Sequence, residues 1–111
     1  MNKIKDQIIT YETAVLAKEK GYILEKLSID KKDDFVQLPT QSLLKKWLRD
    51  VHGIKVIADT DITASWIYTI QSMYPQASYV GEFKTSFYVY STYEEALEVG
   101  LQEALKLIKN A

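Results

Sequence analysis

The segment Thr92-Tyr93-Glu94-Glu95-Ala96-Leu97-Glu98-Val99-Gly100-Leu101, continuing QEALKLI to Ile108, carries a helix start, a helix face and a hint of what that face rests on. Thr92 with Glu95 three residues later is a capping box, in which each side chain satisfies a free amide of the other. Leu97, Leu101, Ala104, Leu105 and Ile108 fall on one side of the helix. Glu94, Glu95 and Glu98 near its start and Lys106 and Lys109 near its end suit the helix dipole. Gly100 sits mid-helix, where glycine costs about 1 kcal/mol relative to alanine. A residue so placed predicts close approach to a sheet.

Strand signals lie immediately upstream. Ile54, Val56 and Ala58 alternate with Lys55, Ile57 and Asp59, and Trp66, Tyr68 and Ile70 alternate with Ile67, Thr69 and Gln71, the period of two that a half-buried strand requires. Asp59-Thr60-Asp61 is a turn composition between them. Pro75 and Gly81 bracket a longer connection. Residues 79–83 and 87–90 read as strand again, as one bent strand or a small extra hairpin.

Further out, Pro39-Thr40 opens a second helix with Thr40 as its cap, and Leu43, Leu44, Trp47, Leu48 and Val51 recur at the spacing of a buried stripe up to Gly53. A first helix runs from the cap Thr10 to Gly21, which can adopt the left-handed closing conformation. Its apolar face (Ala14, Leu16, Ala17 and Tyr11) is thin, and about three turns alone are marginal in water. Residues 22–38 fit neither period cleanly. Lys31-Lys32-Asp33-Asp34 reads as a solvated turn, and Phe35-Val36-Gln37-Leu38 as a short strand or an extended lead-in to Pro39. The expected fold is a single α+β domain over residues 1–111. In it, helices cover one face of a three- to four-stranded antiparallel sheet, in α-β-β-β-α order from residue 40 with an extra N-terminal helix.

Composition narrows function more by exclusion than by indication. The 111 residues are 47% hydrophobic and 26% charged, which is globular, with a net charge of −1. The absence of cysteine removes disulfides, thiolate metal sites and thiol nucleophiles, and one histidine, His52, leaves no imidazole cluster. No Gly-rich phosphate loop, nucleophile elbow or calcium-loop spacing occurs, so no catalytic residue, metal or cofactor is expected. No window approaches the roughly 20 apolar residues of a membrane helix, and Asp6 and Gln7 interrupt any secretory signal, so a cytoplasmic protein without membrane contact is expected. Charge is unevenly spread. Residues 1–55 hold eleven Lys and Arg against eight Asp and Glu, a net of +3, whereas residues 56–111 hold three against seven, a net of −4.

Two constellations are candidates for binding. Lys45, Lys46 and Arg49, with His52 beside them and Lys55 just beyond, form a basic off-face of the second helix that could meet phosphates; the competing reading is a solvated face diluted by Asp50. Nine of the thirteen aromatic residues lie between Trp66 and Tyr93. Of these, Trp66, Tyr68, Tyr79, Tyr88 and Tyr90 are candidate protein-interaction residues, because tyrosine and tryptophan anchor interfaces. Packing within the core and on the sheet is the favoured reading for that strip.

Two resemblances add context. The segments Pro39-Thr40-Gln41-Ser42-Leu43-Leu44-Lys45-Lys46-Trp47-Leu48-Arg49, then His52, and Thr92-Tyr93-Glu94-Glu95-Ala96-Leu97-Glu98-Val99-Gly100-Leu101, together with Tyr11-Glu12-Thr13-Ala14 and Lys18-Glu19-Lys20-Gly21-Tyr22, resemble a group of small uncharacterised proteins of gut bacteria and their phages. That likeness implies a phage or prophage setting and carries over no catalytic residue. From residue 40 on, the helix, three strands and helix are similar in order to a double-stranded-RNA-binding domain. That family reads RNA through a polar first-helix face, a hairpin loop and a lysine cluster opening its last helix. Here the last helix opens with Thr92-Tyr93-Glu94-Glu95 and the hairpin turn is Asp59-Thr60-Asp61, so carboxylates stand where phosphates would approach. The expected function is therefore a non-enzymatic phage-type accessory protein acting through another protein or a second copy of itself. The alternative is a nucleic-acid-binding module using Lys45, Lys46, Arg49 and Lys55.

Overall fold

A computed structural model describes residues 7–23, 25–30, 33–72, 84–86 and 88–108. The elements are α1 (Tyr11–Glu19), β1 (Glu25–Asp30), β2 (Asp33–Gln37), α2 (Gln41–His52), β3 (Ile54–Thr60), β4 (Trp66–Ser72), β5 (Lys84–Thr85) and α3 (Tyr93–Leu107). The class is α+β. Strands β3, β4 and β5 pair antiparallel in that spatial order, and β1 and β2 form a separate antiparallel hairpin.

All three helices start at the expected threonines. The Thr10, Thr40 and Thr92 hydroxyls accept the N–H groups of Thr13, Leu43 and Glu95. α2 closes on Gly53 in the left-handed conformation, φ 63°, which brings the chain straight into β3.

The core lies between the sheet and α3. Ile54, Val56 and Ala58 of β3 and Tyr68 and Ile70 of β4 face Leu97, Leu101, Ala104 and Leu105 of α3, with Leu44 and Leu48 of α2 closing one side. Gly100 makes this packing possible: a Cβ there would stand 2.9 Å from Tyr68 Cβ and 3.0 Å from Val56 Cγ1. The helix backbone thus rests directly on the strands, as its mid-helix glycine predicts.

The sequence expectations differ from the structure at several places. The turn between β3 and β4 falls on residues 61–65, so that Asp59 and Thr60 belong to the strand. Asp61 anchors it: its Oδ1 accepts the Thr63 N–H at 2.9 Å, the Thr63 hydroxyl at 2.6 Å and the Ser65 N–H at 3.0 Å. Residues 25–30 and 33–37 are paired strands, and Asp33 and Asp34 lie in the second of them instead of in a turn. The α2 stripe is narrower than expected, with Leu44 and Leu48 buried, Trp47 half-buried, and Leu43 and Val51 exposed. On α1 the buried residues are Thr13, Ala14 and Ala17, while Tyr11 stands in solvent. The strand expected at 87–90 is not formed by the described residues 88–90, where Tyr90 makes a single bridge to Trp66, and a two-residue strand lies instead at Lys84–Thr85. The strand expectation at 79–83, and Tyr79 and Phe87 with it, lies outside the described residues.

Candidate interaction surface

The basic candidates are divided between two elements. Lys45, Lys46 and Arg49 are on α2, and Lys55 is on β3. Asp50 answers two of them: its carboxylate lies 3.8 Å from Lys46 Nζ and accepts the Arg49 Nε–H at 3.1 Å. His52 is taken up in packing. Its ring meets Trp47 edge to face at 4.6 Å, and Trp47 in turn meets Tyr22 at 5.3 Å. Burial pushes the His52 pKa below the ordinary histidine value, partly offset by a hydrogen bond to the Lys20 backbone.

The aromatic candidates divide between inside and outside. Tyr68 is 9% exposed and lies under Gly100, so it is a core residue and leaves the interaction strip. Trp66 and Tyr90 are partly buried against the core and exchange backbone hydrogen bonds at 3.1 and 2.8 Å, which prolongs the sheet past β5. Trp66 meets Tyr93 edge to face at 5.7 Å, and Tyr68 lies 6.3 Å from Tyr90. Burial raises the pKa of both Tyr68 and Tyr90, with Glu103 adding to it. Only Tyr88 among the described candidates is well exposed. The reason is positional: Trp66, Tyr68 and Ile70 share the strand face that the helices cover.

The sequence reading missed two features. The first is a buried polar node. Glu98, 7% exposed, accepts the Thr10 N–H at 2.9 Å, the Thr10 hydroxyl at 3.0 Å, the Thr13 hydroxyl, and the Gln41 side-chain amide at 3.0 Å. Gln102 donates to the Thr13 hydroxyl at 2.9 Å, and Gln41 also donates to the Glu94 carbonyl at 2.9 Å. One α3 carboxylate thus sits at the N-termini of α1 and α2, where helix dipoles favour negative charge. The clue was at Thr13, which occupies the position where a capping box places Glu or Gln; the acid comes instead from another helix.

The second is an apolar ridge on α2. Leu43, Trp47 and Val51 are spaced four apart and line up along one side of the helix. Leu43 is 55% and Val51 56% exposed, with Lys46 and Asp50 alongside. At the β3–β4 turn, Ile62 is fully exposed on a loop held by Asp61.

Among the described residues no group of three His, Cys, Asp or Glu could hold a metal, and no helix is long and apolar enough to cross a membrane. Compared with known protein families, with curated proteins and with solved structures, the chain matches none.

Proposed function

We propose that the protein is a non-enzymatic interaction module, an accessory protein of the phage or prophage type, that works by docking on another protein. The observation that carries this reading is the Leu43–Trp47–Val51 ridge, two exposed aliphatic side chains around a half-buried tryptophan on a helix whose other side is locked into the core. Apolar side chains presented on a rigid element lose little entropy on docking, and tryptophan is a frequent anchor. The titratable side chains that could suggest catalysis have structural duties. Glu98 is saturated with donors from three segments, and His52 packs edge to face against Trp47.

Nucleic acid ranks second. The arrangement of a helix, an antiparallel sheet and a final helix from residue 41 on favours it by analogy of order alone. Electrostatics weigh against it, because Asp50 offsets Lys46 and Arg49 and exposed Glu95 opens α3.

The test is affinity capture from bacterial lysate with the wild-type chain and with the double variant Leu43→Asp/Val51→Asp, whose sites are exposed and whose fold is checked by circular dichroism. A bound protein that the double variant loses supports the reading. Fluorescence anisotropy with duplex RNA at low salt addresses the alternative: binding that disappears on charge reversal at Lys45 and Lys46 would put nucleic acid first.

A further inference from the structure

The sheet ends on a strand edge with unusual self-complementarity. Among the described residues nothing pairs with the outer edge of β3, since β4 occupies its inner edge and carries β5 on its own far side. β3 is seven residues long and pairs with β4 in unbroken register from Ile54–Ser72 to Thr60–Trp66. It contains no proline, no bulge and no charge on its core face, which is Ile54, Val56 and Ala58. Natural edge strands are normally protected by one of these devices, because a bare row of N–H and C=O groups is a template for another strand.

What β3 carries is a pair of opposite charges symmetric about its middle. Lys55, Ile57 and Asp59 share the face turned away from the helices, with Lys55 and Asp59 exposed and Ile57 half-buried. Their partners across β4 are Gln71, Thr69 and Ile67, none of them charged, and neither Lys55 nor Asp59 has an ion-pair partner among the described residues. Among the described residues, the Asp59 carboxylate accepts the adjacent Thr60 N–H, 2.7 Å from Oδ1.

We infer that β3 pairs antiparallel with β3 of a second copy of this chain across a two-fold axis at Ile57, giving a dimer with a continuous sheet. In that register Lys55 of each copy stands opposite Asp59 of the other, Ile57 meets Ile57, and Val56 meets Ala58 on the core side. A two-fold contact makes every pair twice, so both ion pairs form together. Neighbouring registers lose this match. Moving the axis to Ala58 sets Ile57 against Asp59, and moving it to Val56 sets Lys55 against Ile57. The charges that keep this edge from pairing indiscriminately therefore select one partner and one register. The inference names a partner for a chain already read as an interaction module, and it rests on β3 whereas the ridge lies on α2.

The test is sedimentation velocity on the full chain from micromolar to millimolar concentration, with Lys55→Glu, Asp59→Lys and the double swap Lys55→Glu/Asp59→Lys. Both positions are exposed, so the variants fold, and circular dichroism checks this. The wild type is expected to reach twice the chain mass. Each single reversal should weaken association by about tenfold, since two attractive pairs become repulsive, and the double swap should restore it. A wild-type monomer throughout, or a dimer indifferent to the single reversals, overturns the inference. Leu43→Asp/Val51→Asp separates the two readings. If that variant abolishes the dimer while the charge reversals do not, the edge pairing is wrong and the ridge is the interface. If the chain is monomeric and captures no protein through the ridge, both fail.

Discussion

Glu98 shows how much a single side chain can organise. Burying a carboxylate is costly unless hydrogen bonds replace its water. Here four donors from α1, its cap and α2 do so, at the positive ends of two helices. Glu98→Ala strands the Thr10 N–H and one of the two N–H groups of the Gln41 amide and is expected to destabilise the fold by roughly 3 kcal/mol in urea titration. Glu98→Gln, which keeps an acceptor oxygen, should cost less. Gly100 is constrained by shape. Alanine there gains about 1 kcal/mol of helix propensity but meets Tyr68 Cβ, which is close to the strand backbone and cannot swing aside. Overpacking of this kind costs about 1–3 kcal/mol, so Gly100→Ala should lower the urea midpoint despite being the better helix former. His52 supplies the pH dependence. Its folded pKa lies below the unfolded value of 6.5, because burial disfavours the charged ring. Its contribution to stability is therefore complete above about pH 6.5 and declines as pH falls through the folded pKa. Urea midpoints should drop on acidification through that window, and the slope should be shallower in His52→Phe, which keeps the ring against Trp47.

At the scale of elements, α1 is held differently from α2 and α3. α3 buries a full apolar face, whereas α1 buries only Thr13, Ala14 and Ala17 and relies on the Glu98 node at its start and on Lys20 Nζ donating to the Ile108 carbonyl, 2.6 Å away, at its end. A short helix with so little apolar burial opens locally once its polar ties are cut. Thr13→Val removes the donor to Glu98 and the acceptor for Gln102. It should accelerate amide exchange through residues 14–19 while α3 and β4 stay protected, a pattern that hydrogen-exchange NMR resolves. This division also marks what the sequence could tell. Caps are local chemistry, so Thr10, Thr40, Thr92 and Gly53 announced the helix ends, and the alternation in residues 54–58 and 66–70 announced the central strands. Burial of a particular side chain depends on distant partners. Leu43 and Val51 carry the right spacing for a core stripe but lack a covering element, whereas Glu98 has the composition of a surface residue and is enclosed by segments more than fifty positions away. The candidate sites were least legible for the same reason: whether a tyrosine on β4 faces α3 or solvent follows from which side the helices take.

At the scale of the whole molecule, the described elements divide into one body and one appendage. α3 touches α1, α2, β3 and β4 and is the common partner that makes these elements a unit. β1 and β2 pair with each other, with an irregularity between Ser28 and Asp30, and their backbones come close to no other described element. An isolated two-stranded hairpin is marginally stable in water, because its few cross-strand contacts barely offset the entropy of ordering it. Its opening should therefore be uncoupled from global unfolding. Native-state hydrogen exchange is expected to show amides of residues 25–30 and 33–37 exchanging at a free energy close to zero and insensitive to Gly100→Ala or Glu98→Ala. Amides of β3, β4 and α3 should report the global stability and fall with it. Replacing residues 25–37 by a short Gly-Ser linker should accordingly leave the unfolding free energy from urea titration within about 0.5 kcal/mol of wild type, the range of substitutions that disturb no packed feature. A linker from Leu24 to Leu38 retains both partners of the Tyr22–Trp47 contact and of the Ile9–Pro39 backbone hydrogen bond. A large loss of stability in that variant would mean that the hairpin shares the core after all, and the division into body and appendage would be wrong.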